Sequence, residues 1–251
     1  MSSNKKRFWE IDFLRGFAVI MMIIFHFLFD LSYFGNYNVP INSGFWLYFA
    51  RITAGIFIFL VGISLVLSSE RAKRNKSFGF LKYLKRGLKI FSWGILITII
   101  TWIFLDKGTI VFGILHFIGI SIIIAYPFIV KVRKEAVIWI SVISIILAGI
   151  IFDLIEFGSY FTASVGLPPA EFYTLDFFPL IPWFALVLIG IYVGGLFYKN
   201  YERLIEIPDL SENKIIEKIC LLGKNSLLIY LIHQPVLILV LYLIGIVNLG
   251  I

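Results

Sequence analysis

Cysteine is almost missing from this chain of 251 residues, where Cys220 stands alone. A single thiol excludes an internal disulfide and any cysteine-built metal cluster. Charge is scarce as well. Only 15% of residues are charged against 60% hydrophobic and 18% aromatic, with a mean hydropathy of +0.97, which excludes an ordinary soluble domain. The sequence contains no G-x-S-x-G elbow, no glycine-rich phosphate loop and no H-E-x-x-H signature, and no internal repeat is evident. The N-terminus lacks a short apolar core followed by a small-residue cleavage site, and is expected to be retained.

What is present is length and grease. Apolar segments fall at 11–34, 44–69, 87–105, 109–130, 135–153, 177–198 and 225–249. Each supplies the ~20 residues that a spanning helix needs. The expectation is an all-α polytopic membrane bundle of about seven spans, forming one domain over 1–251 in the cell (plasma) membrane. The net charge of +7 does not point to nucleic acid, because the basic residues are sorted by side. With the N-terminus inside, 19 of the 22 Lys and Arg residues lie on cytoplasmic segments, eight of them in 70–89. The segment 153–176 carries four acids and no base and falls outside. The orientation is therefore N-in, C-out. In the inner segment 199–224, Ile215, Ile216, Ile219 and Leu222 have helical spacing, with Ser211 to cap the start and Gly223 to end it. That pattern predicts a helix lying on the inner leaflet.

The stretch "RGFAVIMMIIFHFLFD" (15–30) places an arginine, a histidine and an aspartate in an otherwise apolar span. Ionisable groups at membrane depth face a bundle interior or a cavity. Counting helical rise from the cytoplasmic side puts His26 at about 22 Å, His116 at about 21 Å, Arg51 at about 27 Å and His233 at about 13 Å. Asp30 lies one turn above His26. Matched depth predicts an Asp30–Arg51 ion pair, and His233 falls too low to share an atom with His26. Arg15, near the inner surface, has the i,i+3 spacing of a pair with Asp12, the plain alternative to a functional role. A histidine oriented by a carboxylate deprotonates an alcohol or amine, or accepts an acyl group itself.

Arg15 and His26, with ten residues between them, resemble the Arg-x10-His motif of the acyltransferase-three membrane enzymes. The wider pattern resembles, more closely, the heparan-α-glucosaminide N-acetyltransferase catalytic-domain family in a compact prokaryotic form. The stretches that carry this are "EIDFLRGFAVIMMIIFHFLFDLSYF", "RITAGIFIFLVGISLVLS", "FGILHFIGIS", "DFFPLIPWFALVLIGIYVGG" and "GKNSLLIYLIHQPVL". The resemblance implies transfer of an acetyl or short acyl group from cytosolic acyl-CoA to an acceptor across the membrane. The acceptor expected is an envelope sugar or glycolipid with a free amine or hydroxyl. Catalysis would rest on His26, Asp30 and His116. Arg15, Lys82, Lys85, Arg86 and Lys89 would meet CoA phosphates, with Arg51, His233, Gln234 and Trp183 also lining the substrate site. No metal and no permanently bound cofactor is expected, only acetyl-CoA or acyl-CoA as co-substrate. The partners are the bilayer, acyl-CoA and the acceptor, with a homodimer allowed and nucleic acid excluded. The alternative is a transporter or lipid flippase using the same buried charges as a path.

Overall fold

A computed structural model describes residues 7–35, 37–105, 107–130, 134–152 and 158–247. Its helices are α1 (Trp9–Tyr33), α2 (Gly44–Arg74), α3 (Phe80–Phe104), α4 (Ile114–Val130), α5 (Lys134–Phe152), α6 (Leu180–Phe197), α7 (Lys214–Lys224) and α8 (Ser226–Leu243). Among the described residues, strand is confined to a two-residue antiparallel pair, β1 (Tyr198–Lys199) and β2 (Glu202–Arg203), and one isolated bridge. Five helices (α1, α2, α3, α6 and α8) are long and apolar enough to cross a membrane, and α4 and Ala136–Ala148 of α5 are shorter apolar helices. The fold is an all-α helical membrane protein, and each of the seven apolar segments forms a helix.

The helix ends follow local chemistry. Glu10 and Asp12 sit in the first turn of α1, and Arg71, Lys73 and Arg74 in the last turn of α2, each charge opposing the helix dipole at its end. The basic stretch 70–89 is not the loop that its composition suggested. Helix α3 begins at Phe80, so Lys82, Lys85, Arg86 and Lys89 occupy its first turns, all exposed. The basic residues counted at 5–6, 131 and 133, and the acids at 153 and 156, lie outside the described residues.

The contacts gather into two units. The first runs to Phe57 and resumes at Ile207, and contains α1, the first half of α2, α7 and α8. Here α7 departs from expectation. Its cap is Asn213, whose side chain accepts from the Ile215 and Ile216 amides, rather than Ser211, and Gly223 lies inside the helix instead of ending it. Nor does α7 answer to a leaflet alone, because it packs on the first turns of α1. A Cβ on Gly16 would overlap the Ile219 carbonyl, and one on Gly223 would overlap the Asp12 carbonyl. Small residues of this kind let helix backbones approach closely where lipid leaves no hydrophobic drive between helices. Arg15 Nη1 reaches the Gly223 carbonyl at 3.4 Å and Asp12 Oδ1 at 3.2 Å.

The second unit is Ile58–Glu206. Helices α3 and α4 form an antiparallel hairpin, and α6 packs on α5 and α4. The rest of α2 meets α6 where Gly62 faces Gly190 with no room for a Cβ on either. Before α4 and α6 the chain is extended: Phe112 bridges Phe177 in parallel, and the Phe178 amide donates to the Phe112 carbonyl at 3.0 Å.

Candidate active site

The first unit brings four polar side chains together, two from α1 and two from α8. The His26 and His233 rings lie with centroids 4.6 Å apart, nearly perpendicular at 77°. Gln234 Nε2 donates to Asp30 Oδ1 at 3.0 Å. Asp30 is wholly buried, and His233 nearly so.

This corrects the depth count for His233. The count took the start of α8 as the membrane surface. In the structure the α1–α7 packing sets Gly223 beside Asp12 and Gly16, in the first two turns of α1. Helix α8, which begins at Ser226 after α7 ends, packs directly on α1 and carries the His233 ring against His26. The two histidines therefore meet.

Each ring is held by its own helix. His26 Nδ1 lies 2.9 Å from the Met22 carbonyl, and His233 Nδ1 lies 2.6 Å from the Tyr230 carbonyl. A carbonyl only accepts, so each Nδ1 carries the hydrogen and each Nε2 keeps its lone pair in the neutral ring. Asp30, expected to orient His26, does not do so, since the Met22 carbonyl fills that role. His233 Nε2, Asp30 Oδ2 and Gln234 Oε1 are buried with no hydrogen-bond partner among the described residues. All three are acceptors, so the cluster matches a ligand rich in N–H or O–H groups.

The expected Asp30–Arg51 ion pair is not formed. Arg51 is exposed, and the Asp30 carboxylate is taken by Gln234. Depth fixes height along a helix but not rotation about it.

His116 belongs to the second unit. It is buried in the first turn of α4, stacked on Phe112 and edge-on to Phe91, over Gly94 of α3. Thr98 Oγ1 donates to the Ile110 carbonyl and lies 3.4 Å from His116 Nε2, which leaves Nδ1 as the acceptor in the neutral ring. Trp183 is half-buried in α6, 4.8 Å from the Phe178 ring. Lys82 Nζ donates to the Ser68 carbonyl at 3.2 Å.

Sequence reasoning passed over Asp176. Its Oδ2 accepts from the Ile114 amide at 2.9 Å, satisfying an open donor at the start of α4 two residues before His116. No local pattern marks it as the partner of the Ile114 amide. Burial lifts the Asp176 carboxyl to about 6, against the Ile114 amide, which favours the charged form. A carboxyl with a raised native pKa holds its proton more tightly when folded. Its stabilising contribution is present near pH 4 and is lost as pH rises through about 6. Asp176→Asn keeps an acceptor for Ile114 without a charge to bury, so it should flatten this fall. Asp176→Ala removes both the acceptor and the titrating group, so its cost, about 1 kcal/mol for the lost hydrogen bond, should be larger at pH 4.5 than at pH 7.5. Thermal unfolding in detergent at pH 4.5 and 7.5 reads both, and an Asn variant with wild-type pH dependence would overturn the assignment.

Helices long enough to span a bilayer, with an imidazole pair in contact between two of them, define a polytopic membrane protein. Residues 7–235 match the family of the heparan-alpha-glucosaminide N-acetyltransferase catalytic domain. The chain belongs to that family, one of transmembrane acetyltransferases. No curated protein and no solved structure matches the chain.

Proposed function

We propose that the chain transfers an acetyl or short acyl group from cytosolic acyl-CoA to an amine or hydroxyl of an extracytoplasmic sugar or glycolipid in the cell membrane. The observation that carries this reading is the His26–His233 pair, two imidazoles in contact whose Nε2 atoms both keep a lone pair. His26 Nε2 takes the proton of the acceptor as its nitrogen or oxygen attacks the thioester carbonyl. The C–S bond then breaks, the CoA thiolate leaves, and the proton passes from the imidazolium to it. The same lone pair equally serves an acyl-imidazole intermediate, in which His26 first displaces the thiolate and the acceptor then displaces His26. His233 is the second imidazole at the reacting centre. His116, in the second unit, keeps Nδ1 as an acceptor suited to an amine or hydroxyl.

On the cytoplasmic side, Arg15 is the group proposed to meet a phosphate of acyl-CoA, and Lys82, Lys85, Arg86 and Lys89 give the start of α3 a positive face that suits phosphate as well. Guanidinium groups suit phosphate geometry, and lysines act as point charges.

Membrane vesicles test donor and orientation together. Inverted vesicles, with the cytoplasmic face outward, should acetylate an amine-bearing sugar enclosed in their lumen when acetyl-CoA is added outside. Right-side-out vesicles loaded with the same sugar should not. Transfer in neither preparation, from protein shown to be folded, would sink the proposal.

A further inference from the structure

The hydrogen bond from Gln234 to Asp30 joins α8 to α1 beside the histidine pair. Asp30 follows His26 by one turn on α1, and Gln234 directly follows His233 on α8. The bond is 3.0 Å long, and the carboxylate that receives it is completely buried. A one-residue slip of α8 along α1 moves every side chain by about 1.5 Å and turns it by about 100°. Such a slip separates the amide from the carboxylate and leaves Asp30 as a buried, unsatisfied group, which is strongly disfavoured. The bond therefore tolerates one axial and rotational setting of the two helices, and in that setting the two imidazoles touch.

We propose that Gln234 is a positioning residue, whose hydrogen bond to Asp30 pins α8 on α1 in the register that brings His26 and His233 together. The pinning concerns the helices themselves, and only its effect on turnover rests on the acetyl-transfer reading. The geometry also defines a reversal. Asp30→Asn combined with Gln234→Glu puts the short amide on α1 and the long carboxylate on α8, which restores the same bond with donor and acceptor exchanged between the helices.

The experiment has two readouts. In a Cys220→Ala background, His26→Cys with His233→Cys should cross-link through a short bis-methanethiosulfonate in detergent at pH 8. Adding Gln234→Leu or Gln234→Glu should abolish the cross-link, the first by deleting the donor and the second by opposing two carboxylates. Adding Asp30→Asn together with Gln234→Glu should restore it. In parallel, with both histidines intact, Gln234→Leu and Gln234→Glu should lower kcat for acetyl transfer by roughly 10²-fold. The Asp30→Asn/Gln234→Glu pair should recover most of that loss. A cross-link that persists with Gln234→Leu, fails to return in the reversed pair, or never forms in the parent overturns the pin. The expected cross-linking pattern without acetyl transfer in any variant supports the pin and overturns the enzymatic reading alone.

Discussion

His26→Ala is expected to lower acyl transfer by roughly 10²–10⁴-fold, the range spanned by a positioned acid–base group. Its Nε2 keeps a lone pair because Nδ1 is held by the Met22 carbonyl, and alanine leaves neither the proposed base nor the proposed acyl carrier there. The protein should still fold, because the Met22 carbonyl remains within its helix and the lost ring is only half-buried. His233→Ala should also be severe, since it empties the other half of the ring pair. His116→Ala is expected to raise KM for the acceptor more than it lowers kcat. The measurement is steady-state acetyl transfer by the three variants, each checked for a monodisperse fold. Near-normal turnover in His26→Ala, with loss in either of the others, would put the chemistry on a different helix.

The second large effect is structural. Gly223→Leu or Gly16→Leu should destabilise the first unit by more than the ~1–3 kcal/mol usual for an overpacked core, because the obstacle is backbone rather than a side chain that can swing away. The Cβ at Gly223 would collide with the Asp12 carbonyl, and that at Gly16 with the Ile219 carbonyl. Relief requires α7 to lift from α1, which also separates Arg15 from the Gly223 carbonyl and moves the start of α8. Folded yield and thermal unfolding of both variants measure this. Wild-type stability in Gly223→Leu would show that α7 does not seat α8. Gly79→Ala, where no atom lies within 4 Å of the added carbon and the backbone is extended, serves as a mild comparison.

The apolar segments were legible because length and hydropathy alone identify a helix that can cross lipid, and each became one. The family was legible from five ordered stretches, and its match extends over residues 7–235. What failed was geometry between helices. The spacing of His26 and Asp30 on α1 was readable from the helical repeat, but the partner of Asp30 was not. Rotation about the axis, which periodicity in a helix apolar on every side does not report, turned Arg51 to the surface and Gln234 inward. His233 was misplaced because its depth was counted from the end of an apolar run. Two glycines with no hydropathy signature set that depth, by letting α7 stack on α1. Asp176 was missed because its partner is a backbone amide 62 positions away, a relation that no local pattern encodes.

Both imidazoles take their proton arrangement from a carbonyl three or four residues earlier on the same helix. That arrangement travels with the helix as a rigid cassette. If α1 and α8 part to admit a substrate and close again, neither ring has to exchange its hydrogen with a neighbour or wait for a solvent molecule to reset it. Chemical competence is inherited from each helix, while proximity is set between them. A helix shift that separates the two rings would leave the tautomer of each unchanged.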